Sequence, residues 1–388
     1  MTATENQFIR ILRAMVCGDP LPEDFRAEAP EALFALARRH QLEHLTAEAL
    51  LPAAKAEGRE DFAQKLDRAR LGAVYRDAHR NAMLEELKEQ MTRLDVPYVL
   101  LKGVPLRRLY PANWMRSSSD VDVLLHREDL PRVEEAFVPL GYQVGKGCTH
   151  HEELYNGGRA IELHWILVED ERYPRACAPL ERVWDYLIPG AEGGPTALEL
   201  RDDMAYYYHL LHMLKHFESS GCGVRSVLDL WLLEHRVSFD ADAREKLIGE
   251  GGLTRFRDTV RQIAEAWFGE GNLAGVEDVA DFILQGGCYG TQERAVTLGR
   301  EKQGKGYLLK RIFRPLSSMR HSYPILEKWP VLLPACWVIR WFKLLNPKTR
   351  RTAMNEIRYV QNYDEAEGEK LRKILLKAGA EEAKWPQR

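Results

Sequence analysis

Residues 101–130 read LKGVPLRRLYPANWMRSSSDVDVLLHREDL. Two aspartates, Asp120 and Asp122, stand one residue apart within the apolar run Val121, Val123, Leu124 and Leu125. Side chains alternate across a strand. If 120–125 is extended, Asp120, Asp122 and Leu124 share one face, and Val121, Val123 and Leu125 the other. The valine face can pack on helices. The aspartate face stays dry only if something cancels its charge. Two carboxylates about 4 Å apart repel by about 4 kcal/mol at an effective dielectric of about 20. Either one of them is protonated or a cation lies between them. Mg²⁺ suits the second solution, because it prefers one or two carboxylates plus substrate phosphates.

The flanks strengthen that reading. VPYVLL (96–101) is a short apolar run of strand character. Lys102-Gly103 closes it, and 104–110 starts a helix with Pro105 in its first turn. A glycine at a strand-to-helix turn lets backbone N–H groups approach a phosphate. Arg116 and the serines up to Ser119 could hold phosphate oxygens. Residues 126–141 form a helix that stops at Gly141. Residues 151–165, HEELYNGGRAIELHW, form a hairpin turning at Asn156-Gly157-Gly158. In its second strand, Glu162 and His164 share a face opposite Ile161, Leu163 and Trp165. Three acids on neighbouring strands make a two-metal clamp for in-line phosphoryl transfer. His164 either assists that site or is a buried, hydrogen-bonded histidine. The competing reading is an edge strand with solvated aspartates and a surface lysine. A second D-x-D, Asp240 to Asp242, sits at a helix start, where acids simply favour the dipole.

Helical patterning surrounds this segment. Residues 31–51 carry leucines at helical spacing, and a second helix runs over about 60–94 until Asp95 to Pro97 end it. Residues 198–217 and 223–236 read as two further helices, and AEGGPT (191–196) as a linker. The expected organisation is a helical region over 1–94, an α/β domain over 95–190, a helical domain over 191–300 and a basic helical region over 301–388.

Among other polar residues, His209, His212 and His216 share a helical face, which suits packing better than zinc. Lys215 beside them can reach a phosphate from the facing helices. Arg225 and Asp229, at i and i+4, suit an ion pair. His150 and Glu152 share a strand face and are read as surface residues.

Bulk properties exclude several classes. The chain has 388 residues, 45% hydrophobic, with a net charge of -3. Its six cysteines show no zinc or redox spacing, which predicts reduced thiols in a cytoplasmic protein. The first fifteen residues lack a basic start followed by an apolar core, so no signal peptide is expected. The apolar stretch 329–345 contains Pro330, Pro334 and Arg340, and falls short of the roughly 20 apolar residues of a spanning helix. A buried or interfacial helix is expected there. Residues 302–358 hold 13 Lys or Arg against Glu327 and Glu356 alone. Such a stretch can meet phosphate, nucleic acid, an acidic protein or anionic lipid. No Walker loop, GxGxxG after a strand or GxSxG elbow occurs.

The run LKG, Leu109-Tyr110-Pro111, RSSSDVDVLL and IELHW resembles the uncharacterised nucleotidyltransferase family of the DNA polymerase β-like superfamily. Lys102-Gly103 stands where the superfamily usually has Gly-Ser. The resemblance implies an α+β fold: a small mixed β-sheet nucleotidyltransferase domain flanked by N- and C-terminal helical regions. It implies Asp120, Asp122 and Glu162 as catalytic metal ligands for Mg²⁺ or Mn²⁺. Lys102, Gly103, Arg116, Ser119 and Lys215 would bind the nucleotide, with His164 in support. The reaction implied is transfer of a nucleoside monophosphate, AMP foremost, from an NTP to an unidentified hydroxyl acceptor with release of pyrophosphate. The alternatives are a noncatalytic nucleotide-binding scaffold and, less favoured, an enzyme acting on nucleic acid.

Overall fold

The computed structural model describes residues 1–22, 25–118, 120–145, 150–168, 172–191, 194–320 and 322–384. Its centre is one seven-stranded mixed sheet in the order β3-β4-β5-β2-β1-β7-β6. The strands are β1 (Tyr98–Leu100), β2 (Val121–Leu124), β3 (Gln143–Val144), β4 (His151–Asn156), β5 (Arg159–His164), β6 (Leu187–Pro189) and β7 (Ala197–Leu200). β2 pairs antiparallel with β1 and parallel with β5. The fold is therefore α+β, a mixed sheet with helical regions on both sides in sequence.

The alternation in β2 sorts its side chains between two cores. Val121, Val123 and Leu125 pack with Ile161 and Leu163 of β5 and with Met83, Leu87 and Met91 of the long helix Glu60–Leu94. Val133 and Phe137 of the helix Leu130–Phe137 close this core. On the other face, Leu124 joins the larger core formed with the C-terminal helices Asp202–Ser219 and Val224–Arg236. β2 is thus covered on both faces, and Asp122 lies between two cores at 3% exposure. The hairpin turns where Gly157 and Gly158 both take positive φ, at 56° and 91°, as a two-residue primed turn requires.

Several elements differ from the sequence pattern. Residues 31–51 form two helices, Pro30–Arg39 and Glu43–Ala56, broken around Gln41 at φ 57°. Beyond Lys102 only Gly103–Leu106 is α-helical, followed by a 3-10 turn. The segment from 198 begins as strand: β7 lies parallel beside β1, and the helix starts at Asp202. An Ala-Leu-Glu-Leu run fits either period, and the open backbone edge of β1 decided in favour of strand. The sheet therefore continues past the 191–196 stretch. Asp240 caps its helix by accepting from the Ala243 N–H. The stretch 329–345 forms the short helix Leu333–Phe342 between 3-10 turns. No helix among the described residues is long and apolar enough to cross a membrane.

Glu152 turns to the helix-covered face, against Glu134, and not to the side of the aspartates. Burial and this neighbouring carboxyl push Glu134 up to about 7. The folded chain then holds more protons than the unfolded one from the ordinary carboxylate range up to about pH 7. Stability from this pair is full below that window and is lost as pH rises through it. Glu134→Gln, which keeps a neutral hydrogen-bonding group, should raise the melting temperature by about 2 °C at pH 8 and leave it unchanged at pH 5. Thermal unfolding at the two pH values checks this.

Candidate active site

Parallel pairing of β2 with β5 brings Asp122 opposite Glu162 in register, and Leu124 opposite His164. Side chains on the same face of adjacent strands lie about 5 Å apart. Strand alternation has removed the valines and isoleucine to the far side. The carboxylates of Asp122 and Glu162 and the imidazole of His164 offer ligand atoms within 4.8 Å of one another. His164 Nε2 donates to Asp122 Oδ1 at 3.1 Å and to Glu162 Oε2 at 3.2 Å. Its Nδ1 is buried with no hydrogen-bond partner among the described residues.

Lys102 supplies the main countercharge. Its Nζ donates to Asp122 Oδ1 at 2.5 Å and lies 3.9 Å from Glu162 Oε2. It reaches them from a backbone held at φ 51°, a conformation that costs a non-glycine residue about 1–3 kcal/mol. Burial opposes the Lys102 charge, but the carboxylates of Asp122 and Glu162 outweigh it and raise the ammonium above its usual range. Burial likewise opposes the charge on Asp122. The His164 hydrogen bond and Lys102 overcome it and hold the carboxyl well below the usual range. His164 is pulled down by burial, yet its bonds to the two acids raise it overall.

Asp120 immediately precedes β2 and is half-buried. It is not one of the three groups set within 4.8 Å. It faces the same space, and burial plus the charges of Asp122 and Glu162 push its carboxyl up. Three acids against one lysine and one histidine leave the cluster short of positive charge. Gly103 lies against it: a Cβ there would stand 3.0 Å from the Ser118 side chain. A larger residue there would have to push the Ser118 side chain aside.

The cluster forms one wall of a cavity of about 1270 Å³ between the sheet and the helices 202–219 and 224–236. Lys102, Gly103, Arg116, Asp120, Asp122 and Glu162 line it, and Tyr208, His209, His212 and His216 face them. The cleft lies between the sheet and residues near 200–235. Lys215 is not among the lining residues. It lies near enough to His150 and His216 to lower both. Ser119 lies outside the described residues. His209 contacts the Ser226 carbonyl at 3.1 Å, and the rings of His212 and His216 meet at 4.6 Å, so packing is their structural part.

Three features were not legible beforehand. Arg116 forms a buried bidentate pair with Asp229, with contacts of 2.8 to 3.0 Å, and Tyr110 donates to the same carboxylate at 2.8 Å. The expected Arg225–Asp229 pair gives way to this one. Arg225 instead holds Gln41 and the Ser117 carbonyl, because it faces the break at Gln41. Second, the Tyr208 hydroxyl is buried at the cavity wall without a hydrogen-bond partner among the described residues. Third, His150 does not act with Glu152. His150 precedes β4 and escapes its alternation, so its ring lies 4.7 Å from His151 and 6.0 Å from His164. His150, His151 and His164 make a second close-set group, and His151, Glu153 and Glu162 a third. The adjacent pair His150-His151 was the sequence signal for this; only the hairpin register shows where it leads.

A mixed sheet presenting carboxylates from adjacent strands to a deep cleft defines the class of site. The chain belongs to the uncharacterised nucleotidyltransferase family, whose pattern matches residues 26–269. Among solved structures it is similar to the antibiotic-resistance factor ANT(2'')-Ia, studied in solution for its substrate-regulated conformational dynamics. That likeness has a TM-score of 0.34 and 12% identity, over 45% of this chain and 91% of the other. No curated protein sequence matches the chain.

Asp229→Ala leaves Arg116 buried without its partner and should destabilise the protein by about 3–5 kcal/mol. Replacing both residues, Arg116→Met with Asp229→Leu, should cost markedly less. Denaturant unfolding of the three variants measures both.

Proposed function

We propose that this protein transfers a nucleoside monophosphate from an NTP, with ATP the donor to test first, to a hydroxyl acceptor. The observation that carries the reading is the registered pair Asp122 and Glu162 at the wall of a cleft large enough for a nucleotide, with His164 hydrogen-bonded to both. In this reaction an acceptor oxygen bonds to the α-phosphorus and the α–β phosphoanhydride bond breaks. Pyrophosphate leaves, and the hydroxyl proton passes to a carboxylate, for which Glu162 is suited. Catalysis of this kind rests on positioning and on charge stabilisation.

The donors fit a divalent cation. Asp122 and Glu162 with Asp120 beside them would hold Mg²⁺ or Mn²⁺, and His164 adds an imidazole, which favours metals softer than Mg²⁺. A bound cation would offset the negative charge of the triphosphate as the leaving group departs. Lys102 competes with a cation for the acids. When displaced from them it is available to phosphate oxygens, and Gly103 allows the backbone to come close to the same group. Arg116, fixed by Asp229, shapes the wall and carries positive charge into it. The Tyr208 hydroxyl stands ready to bond a ligand. Lys215, Ser119 and the basic tail stay auxiliary in this scheme.

Asp122→Asn should lower Mg²⁺- or Mn²⁺-dependent pyrophosphate release by about a thousandfold or more, with an unchanged circular dichroism spectrum. The assay incubates the protein with each labelled NTP and follows pyrophosphate, with mass spectrometry of protein and cell extract to find the acceptor. NTP binding by calorimetry without pyrophosphate release in any extract would mark a noncatalytic nucleotide-binding scaffold instead.

Lys102→Met removes the countercharge and should cost about 2 kcal/mol in the absence of metal. Added Mn²⁺ should then raise the melting temperature of this variant more than that of the wild type. Equal responses would mean that Lys102 and the cation do not share the acids.

A further inference from the structure

The helix Leu333–Phe342 is apolar on both faces. Leu333, Cys336 and Trp337 turn inward onto a small core with Met319 and Leu326. On the opposite side Val338, Ile339 and Phe342 are 46%, 53% and 65% exposed. Its one charge, Arg340, is turned to the Arg311 carbonyl at 3.1 Å, and a helix with apolar residues on both faces belongs in an apolar medium on both sides. Its neighbours continue the outer face: Trp329 is 61% exposed, and Val331 and Leu345 are each 77% exposed. Of the 26 large apolar side chains exposed on the described chain, 14 fall between residues 309 and 357. Isolated exposed leucines mean nothing, but such a concentration marks a surface that something covers.

The charge around it identifies the cover. Lys310, Lys328, Lys343, Lys348, Arg350 and Arg351 are exposed in the same segment. Of the two acids there, Glu356 is spent on Arg311 and on Tyr307. A second copy of this chain would bring one strongly basic face against another. Nucleic acid would match the charge, but it has no use for exposed valine, isoleucine and leucine. A span is excluded for this helix by its length. We propose that residues 309–357 form a docking surface for the anionic face of a phospholipid bilayer. The apolar side chains of 329–345 enter the headgroup boundary and the surrounding lysines and arginines rest on the phosphates. Aromatic and aliphatic insertion combined with basic residues is the physical signature of interfacial binding, and each Lys or Arg near such a surface strengthens it. This inference stands apart from the nucleotidyl-transfer reading and does not depend on it.

The test is flotation of the full chain with vesicles of phosphatidylcholine alone, or with about one third phosphatidylglycerol, at low salt. Binding to the anionic vesicles, at least tenfold stronger than to the neutral ones and weakened severalfold by about 0.5 M NaCl, is expected. Val338→Ser with Phe342→Ser should lower that binding about tenfold or more. Lys343→Glu with Arg350→Glu and Arg351→Glu should do the same, and these exposed positions keep the test valid should the first variant unfold. No binding to anionic vesicles, or binding that neither variant changes, overturns the proposal. So does tighter binding to polynucleotide than to vesicles, or self-association that the serine variant abolishes while vesicles are ignored.

Discussion

Burying the negative charge of Asp122 inside a strand covered on both faces is the constraint on which the rest of the structure depends. An isolated buried carboxylate is far too costly to keep. The chain answers with two groups: Lys102 from the turn after β1, and His164 from β5. Each is in place only because β2 lies between β1 and β5. The arrangement is a local surplus of acids over bases, held rigidly at the wall of a cleft. That is the electrostatic form of a candidate cation site, and Lys102 serves it from a backbone at positive φ that is costly for a non-glycine residue.

The frame around the site is tied by polar contacts that span the chain. Arg116, four residues before Asp120, is pinned to Asp229 on a helix more than a hundred residues later. Arg225 on that same helix reaches Gln41, in the N-terminal helical region, and the Ser117 carbonyl. The loop leading into β2 is therefore held from both helical sides. Removing one member leaves a buried charge or carbonyl unmatched, which is why these residues stabilise the cleft's geometry even where they do not touch the acids. The helical regions are walls of the site as much as separate cores.

The C-terminal segment obeys a different rule. Its cores are small, four or fewer buried residues each, and much of its apolar surface faces outward. Elsewhere exposed apolar side chains are fewer, the largest group on one helix being Leu71, Val74 and Tyr75 of Glu60–Leu94. Here 14 of them are gathered between residues 309 and 357, and the excess of Lys and Arg falls in the same stretch of sequence. Two independent properties, hydropathy and charge, point to the same kind of covering medium.

Much of the site could be read before any coordinates. The alternation of Asp120 and Asp122 with valines, the glycine turn at 157–158 and the apolar partners of Glu162 are local patterns, set by the two-residue period of a strand. They determined which side chains face one another. They could not determine partners separated by long loops. Lys102 read as a phosphate ligand, yet it rests on Asp122; Arg225 read as the partner of Asp229, yet Arg116 took that place. The run at 197–200 read as helix until an open strand edge claimed it, and His150 read as a surface residue until the hairpin register brought it to His164. Sequence settles what depends on neighbours along the chain, because backbone period and turn chemistry act over a few residues. The tertiary structure alone decides which buried charge meets which, because that choice is made by whichever oppositely charged group the packed elements bring within a hydrogen bond's length.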